Sequence, residues 1–157
     1  MAVDVQQVVV FELANETYAL DILHVHEIIR IQAVTPVPGA PEYIEGLINL
    51  RGRVIPVVDL RKRFVLPMRP IGDRSRIIVL QVGDDIVGVV VDAVSEVITV
   101  SPDLVEPAAR VVTGLDAEYI RTIAKVEGHL VAVLNPDKIL ESSEAEADEV
   151  LMLGPGE

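Results

Sequence analysis

Two stretches of this chain recur later in it, in the same order and without gaps. Val8-Val9-Val10-Phe11-Glu12-Leu13 through Val25-His26-Glu27-Ile28-Ile29 aligns on Ile77-Ile78-Val79-Leu80-Gln81-Val82 through Val94-Ser95-Glu96-Val97-Ile98, turn on turn and Glu27 on Glu96. Ile44 to Phe64 aligns on Ile120 to Leu140, with Gly52 on Gly128 and Asp59 on Asn135. One such match is ordinary in a Val-rich sequence; two in one order point to duplicated halves. Each half carries roughly five strand signals, the size of a small barrel, and closing a sheet on itself removes most of its exposed edges. The expectation is a mainly β protein of two similar five-stranded barrels packed through apolar side chains. Subdomain 1 is expected at about 15–75 and subdomain 2 at about 76–135, with the N-terminal strand and a C-terminal helix closing the barrels.

The local signals fill in this frame. Residues 8–22 read as a hairpin turning at Ala14-Asn15-Glu16. From Leu23 to Arg30 the spacing of Leu23, Val25, Ile28 and Ile29 suits a short helix better than a strand. Pro36, Pro38, Gly39 and Pro41 then make a loop. Leu47 to Leu50 and Val54 to Val58 flank Arg51-Gly52-Arg53, where glycine tolerates the positive φ of a tight hairpin turn. Pro56 has no N–H, so its strand is expected at a sheet edge or at a bulge. Asp59 is placed to cap a helical turn over 59–65. Strands follow at Ile77–Val82 and Ile86–Val91, then an irregular stretch from Ser101 to about Glu118. A last hairpin turns at Glu127-Gly128, and Asn135-Pro136 starts a helix running to about Asp148.

Among 157 residues half are hydrophobic but only 3% aromatic, so the core is aliphatic and strand-favouring. With no cysteine there are no disulfides and no thiolate metal sites. No apolar run is long enough for a membrane span, and the start lacks the pattern of a signal peptide, so the cytoplasm is the expected location. The net charge of −12 is uneven. Residues 141–157 form an acidic tail, with six acids and no bases, while residues 51–76 hold eight of the 13 Lys and Arg against two acids. Such blocks are usually solvated faces; the functional reading is a basic surface for an acidic protein partner. Nucleic acid fits poorly, since Phe64 is the one stacking ring in that block.

Catalytic signals are sparse. There is no Gly-x-Ser-x-Gly elbow, phosphate-binding glycine loop or Ser beside a credible base. Asp84-Asp85 lies in a turn, and Asp92 with Glu96 reads as caps or ion-pair partners. His24 and His26 point apart on a helix; on a strand they share a face but no third ligand is evident. No metal site and no cofactor is expected, and no enzyme. What stands out is Arg51, a permanent cation at a turn, and Glu27, a carboxylate able to pair with it across the first barrel.

Leu23-His24-Val25-His26-Glu27-Ile28, Glu45-Gly46-Leu47-Ile48-Asn49-Leu50-Arg51-Gly52, Ile55-Pro56-Val57-Val58-Asp59-Leu60-Arg61 and Val87-Gly88-Val89-Val90-Val91-Asp92-Ala93-Val94 resemble the CheW family of chemotaxis coupling proteins, over about residues 8–140. The resemblance implies two SH3-like five-stranded barrels and a non-catalytic adaptor, soluble in the cytoplasm and recruited to membrane receptor arrays. Its partners are the cytoplasmic tip of a chemoreceptor (methyl-accepting chemotaxis protein) and the regulatory domain of the histidine kinase CheA. By position, Val25, Glu27, Gly46, Arg51, Gly52 and Val97 fall where the family contacts receptor or supports that surface; Ile28 and Asn49 join them by adjacency. For the kinase contact, Pro56, Val87 and Val89 are candidates. The physical picture is an apolar groove of Val25, Ile28, Leu47 and Val97 receiving a helical ridge. The alternatives are an adaptor of a non-flagellar, pilus-type pathway and, from another class, a small hydrolase, which needs a pocket of converging titratable groups.

Overall fold

The computed structural model describes residues 6–64, 66–67, 70–101, 105–107, 119–126 and 128–141. They form eleven strands: β1 (Gln6–Leu13), β2 (Glu16–Asp21), β3 (Val25–Arg30), β4 (Ile44–Leu50), β5 (Arg53–Asp59), β6 (Arg76–Val82), β7 (Asp85–Val91), β8 (Ala93–Val100), β9 (Val105–Pro107), β10 (Ile120–Val126) and β11 (His129–Leu134). Helix α1 is a single turn, Leu60–Arg63, and residues 136–141 are helical as α2. The expected continuation of α2 and the acidic tail lie outside the described residues, apart from Glu141.

The strands make two sheets, ordered β3-β6-β7-β5-β4 and β8-β1-β2-β11-β10-β9. Position for position the orders match, with β9 a short sixth strand added to the second sheet. The register repeats too. Ile77↔Val90 in β6–β7 mirrors Val8↔Asp21 in β1–β2, and Ile44↔Val58 mirrors Ile120↔Leu134, each followed by the same bulge. The parallel pairs Val57↔Gly88 and Val133↔Ala19 correspond as well. The repeat in the sequence is therefore a repeat in hydrogen bonding.

The sheets do not divide the chain at residue 75. The hairpin β6–β7 joins β3, β4 and β5, while β1–β2 joins β8, β10 and β11. Each half lends its first hairpin to the other sheet. A repeat in sequence states which segments are alike, not which copy they pair with, and both partners offer the same apolar edge.

Three clusters explain the uninterrupted apolar strands. Ile77 and Val79 point, with Ile48, Ile55, Val57 and Val90, into the interior of the five-stranded sheet. Val8, Val10, Ala124, Val131 and Val133, the counterparts of Ile77, Val79, Ile48, Ile55 and Val57, cluster likewise with Ala19 in the other sheet. Ile78 and Leu80 face the opposite way, into a shared core with Phe11, Leu20, Tyr119 and Leu134 that joins the two sheets. With both faces covered, a strand such as β6 reads as one hydrophobic run. Each fully buried aliphatic side chain contributes about 1.5–3 kcal/mol.

Two local expectations are corrected. Residues 25–30 form a strand, not a helix: only Ile22–His24 wind into a 3-10 turn, capped by the Asp21 carboxylate accepting from the Leu23 N–H at 2.9 Å. Val25, Ile28 and Ile29 are β-branched, and pairing with β6 decides their conformation over the spacing. Pro56 is not at a sheet edge, since β5 lies between β7 and β4, and the bulge of this pair falls on the partner strand β4, at Glu45. It is tolerated because its partner Leu47 turns both backbone groups away, exchanging 2.8 Å bonds with Thr35, and because the ladder to β7 starts only at Val57. The short strand β9 falls in the stretch expected to be irregular.

Candidate interaction site

The turn between β4 and β5 holds two consecutive residues at positive φ, Arg51 at 52° and Gly52 at 87°. That is the twist a two-residue hairpin favours, and it is uncommon for arginine. The Asn49 side-chain oxygen accepts from the Gly52 N–H at 2.8 Å and fixes the turn. Arg51 thereby projects from the hairpin tip, and its Nη2 donates to both Glu27 oxygens, one at 2.7 Å. Glu27 lies on β3 at one edge of the five-stranded sheet and Arg51 beyond β4 at the other. The sheet thus curves until its two ends are within side-chain reach. The guanidinium holds the Glu27 carboxyl below the usual carboxylate range, first through the hydrogen bond, and Glu27 raises the Arg51 pKa in return. Arg51 is two-thirds exposed, so the pair faces solvent and is not the buried pair whose breakage strands a charge.

Gly46 supports the site from behind. It sits at φ 146° in the β4 bulge, and a Cβ there would lie 2.1 Å from the Thr35 carbonyl oxygen. The loop over residues 31–40 is pinned to β4 at that point.

A bulge at His26 sets the apolar part. Val25 pairs with Leu80 and Ile28 with Ile78, both residues of the shared core, so Val25 and Ile28 occupy one face although three apart. Glu27 and Ile29 take the other face. Val25 is partly buried against the shared core and Ile28 is 39% exposed. Leu47 lies between the inward-pointing Gly46 and Ile48 positions and therefore on the same sheet face as Ile28. Val97 is 49% exposed on β8 of the six-stranded sheet, and by the repeat it is the counterpart of Ile28. Ile28 and Val97 are thus exposed apolar residues at one position in two copies, as are Val54 and Leu130. The charges are not duplicated: Glu96 repeats Glu27, but position 127 is glutamate where the first copy has Arg51.

Val87 and Val89 are completely buried in the shared core, so neither can meet a second protein while the sheets stay packed. Pro56 is half-buried on an inner strand. An exposed valine and a core valine look alike in sequence.

Three features escaped the sequence reading. Leu23 is 84% exposed beside an open depression of about 350 Å³ lined by Leu23, His24, Val25, His26, Gln81 and Gly83. The two histidines therefore share one hollow, yet among the described residues no three metal-ligating groups come together. Arg61 is buried against Asp59 and Asp92. Of the eight cations in the basic block the seven described are all engaged, Arg53 and Arg76 on backbone carbonyls, Lys62 on Glu45, Arg74 on Glu12, Arg63 over two tyrosine rings, besides Arg51 and Arg61, while Arg51, Arg53 and Arg74 stay exposed to solvent.

The family model described as CheW-like domain matches residues 7–144. The chain belongs to the CheW-like family. This CheW-like chain is 38% identical to the chemotaxis protein CheW of Treponema pallidum, over 88% of the chain and 84% of that protein. It is 37% identical to the chemotaxis protein CheW of Bacillus subtilis, covering 90% and 91% respectively. Its fold matches the crystal structure of the scaffolding protein TtCheW from Thermoanaerobacter tengcongensis with a TM-score of 0.78 at 42% identity, over 83% of this chain and 88% of that one. No helix among the described residues is long and apolar enough to cross a membrane.

Proposed function

We propose that this CheW-family chain is a non-catalytic chemotaxis scaffold that couples the cytoplasmic tips of chemoreceptors to the histidine kinase CheA. It acts as a cytoplasmic monomer that enters membrane-associated arrays with its partners. The observation that carries the receptor side is the solvent-facing Glu27–Arg51 pair, held on a strained turn beside the half-exposed Ile28. A helical ridge laid on Val25, Ile28 and Leu47 gains apolar burial, while the pair offers a donor and an acceptor already fixed in place, so little side-chain freedom is lost on docking. Val97 adds an equivalent contact from the second sheet, and Gly46, Asn49 and Gly52 act by shaping the turn. A small contact of this kind is weak alone and gains from many linked copies.

The test is co-sedimentation of the purified protein with a receptor signalling fragment and CheA. Wild type is expected to bring all three down together, and Arg51→Ala to weaken the ternary assembly. Unaltered assembly by both Arg51→Ala and Glu27→Ala would remove the site from the proposal.

A further inference from the structure

Helix α1 leaves the five-stranded sheet and carries two arginines that reach across to the six-stranded one. The Asp59 carboxylate caps α1 at the Arg61 N–H, 3.0 Å away, and also accepts from Arg61 Nε at 3.1 Å and Nη2 at 2.9 Å. The remaining arm, Nη1, donates to Asp92 Oδ1 at 2.9 Å. Asp92 stands on the crossover between β7 and β8, where the chain passes from one sheet to the other. Its second oxygen accepts from the Ala14 N–H at 2.7 Å, in the β1–β2 turn, and its own N–H donates to the Glu12 carbonyl at 3.0 Å. Arg63 lies 5.4 Å from the ring centre of Tyr43 and 4.8 Å from that of Tyr119. Those tyrosines are counterparts in the repeat, and each uses its carbonyl to hold the cap residue of its half, Asp59 or Asn135. Position 137, the counterpart of Arg61, is aspartate, and position 139, that of Arg63, is isoleucine.

We propose that Arg61 and Arg63 are a one-sided fastener setting the angle between the two sheets, with Asp92 as the link to the β1–β2 turn. Apolar contacts between the sheets are non-directional and tolerate sliding, whereas a planar guanidinium shared by two carboxylates admits one geometry. The two halves of the proposed docking surface, Ile28 on one sheet and Val97 on the other, keep their spacing through this node. Arg61 is thus a positioning residue. The fastener itself does not depend on the partner assignment; only its effects on receptor binding and kinase control rest on that reading.

The experiment is amide hydrogen exchange on the full chain. Arg61→Lys retains the charge but loses the planar fork, and is expected to raise exchange of the Ala14 amide, in the other sheet, roughly tenfold, the loss of about one charged hydrogen bond. Asp92→Asn keeps an oxygen for the Ala14 N–H and is expected to raise exchange of the Phe64 and Leu66 amides on and after α1 instead. Should Arg61→Lys not fold, the Asp92→Asn result decides. Changes confined to each variant's own sheet would overturn the fastener. In the functional arm, Arg61→Lys is expected to bind the receptor fragment several-fold more weakly, because the spacing of Ile28 and Val97 is no longer fixed, and with it to lose control of kinase activity. If wild type itself fails to assemble, the partner reading falls while the exchange data still judge the fastener.

Discussion

Gly46→Ala offers a sharp test of how the site is held. At φ 146° an L side chain is strained, at about 1–3 kcal/mol. The added Cβ would sit 2.1 Å from the Thr35 carbonyl oxygen and 2.7 Å from its carbon, both backbone atoms that no rotamer change can move aside. Relief requires Thr35 to withdraw from β4, which breaks the two 2.8 Å bonds it exchanges with Leu47, each worth about 0.5–1.5 kcal/mol net. Together these give a loss of about 2–6 kcal/mol, a large share of the roughly 5–15 kcal/mol typical of a domain. Urea unfolding followed by circular dichroism reads the difference. Gly39→Ala is the internal control: its φ is 86° but nothing lies within 4 Å of the added atom, so it carries strain without collision, about 1 kcal/mol. If Gly46→Ala costs no more than Gly39→Ala, the close approach of Thr35 is not what keeps glycine there, and the argument fails.

Two further outcomes follow from titration. Glu27 is held below the usual carboxylate range by Arg51, so the pairing persists through neutral and weakly acidic pH and its contribution is lost as pH falls through the lowered folded-state value. Carboxyl-carbon NMR should show Glu27 returning upward to the ordinary range in Arg51→Ala; an unchanged titration would contradict the pair. Burial, and then Glu16, push the Tyr18 pKa up to about 12. The folded state therefore keeps a proton that the unfolded chain gives up near 10, and stability should decline as pH rises from about 10 towards 12. Thermal melts across that range, compared with Tyr18→Phe, check this; an equal alkaline decline in both proteins would assign it elsewhere.

Much of the architecture was readable before any coordinates. The alignment of Val8–Ile29 on Ile77–Ile98 foretold matched hairpins; the repetition of bulges and parallel pairs is seen only in the structure. The turn at Arg51-Gly52 and the caps at Asp59 and Asn135 were equally legible, because each depends on chemistry within a few residues. What stayed hidden was long-range. Whether Val25–Arg30 coils or extends depends on β6, some fifty residues on. Arg61 reads as one more surface cation until Asp59 and Asp92 close around it. Val87 and Val97 are both valines in strands, yet one is in the core and the other at the rim, a difference set by which sheet covers which. The division of the halves failed for the same reason, since like edges accept like hairpins.

The interleaving has a consequence for synthesis. The five-stranded sheet is encoded by one continuous run from Val25 to Val91, so it can complete itself once those residues have left the ribosome. The hairpin that precedes it emerges earlier but finds its neighbours β8 and β11 last, and until then Val8, Val10, Phe11 and Leu20 have nothing to cover them but the newly made sheet. The opening segment thus waits longest, an adhesive strip on the nascent chain, and slowing translation after residue 91 should make it the first place where the protein sticks to itself or to a chaperone.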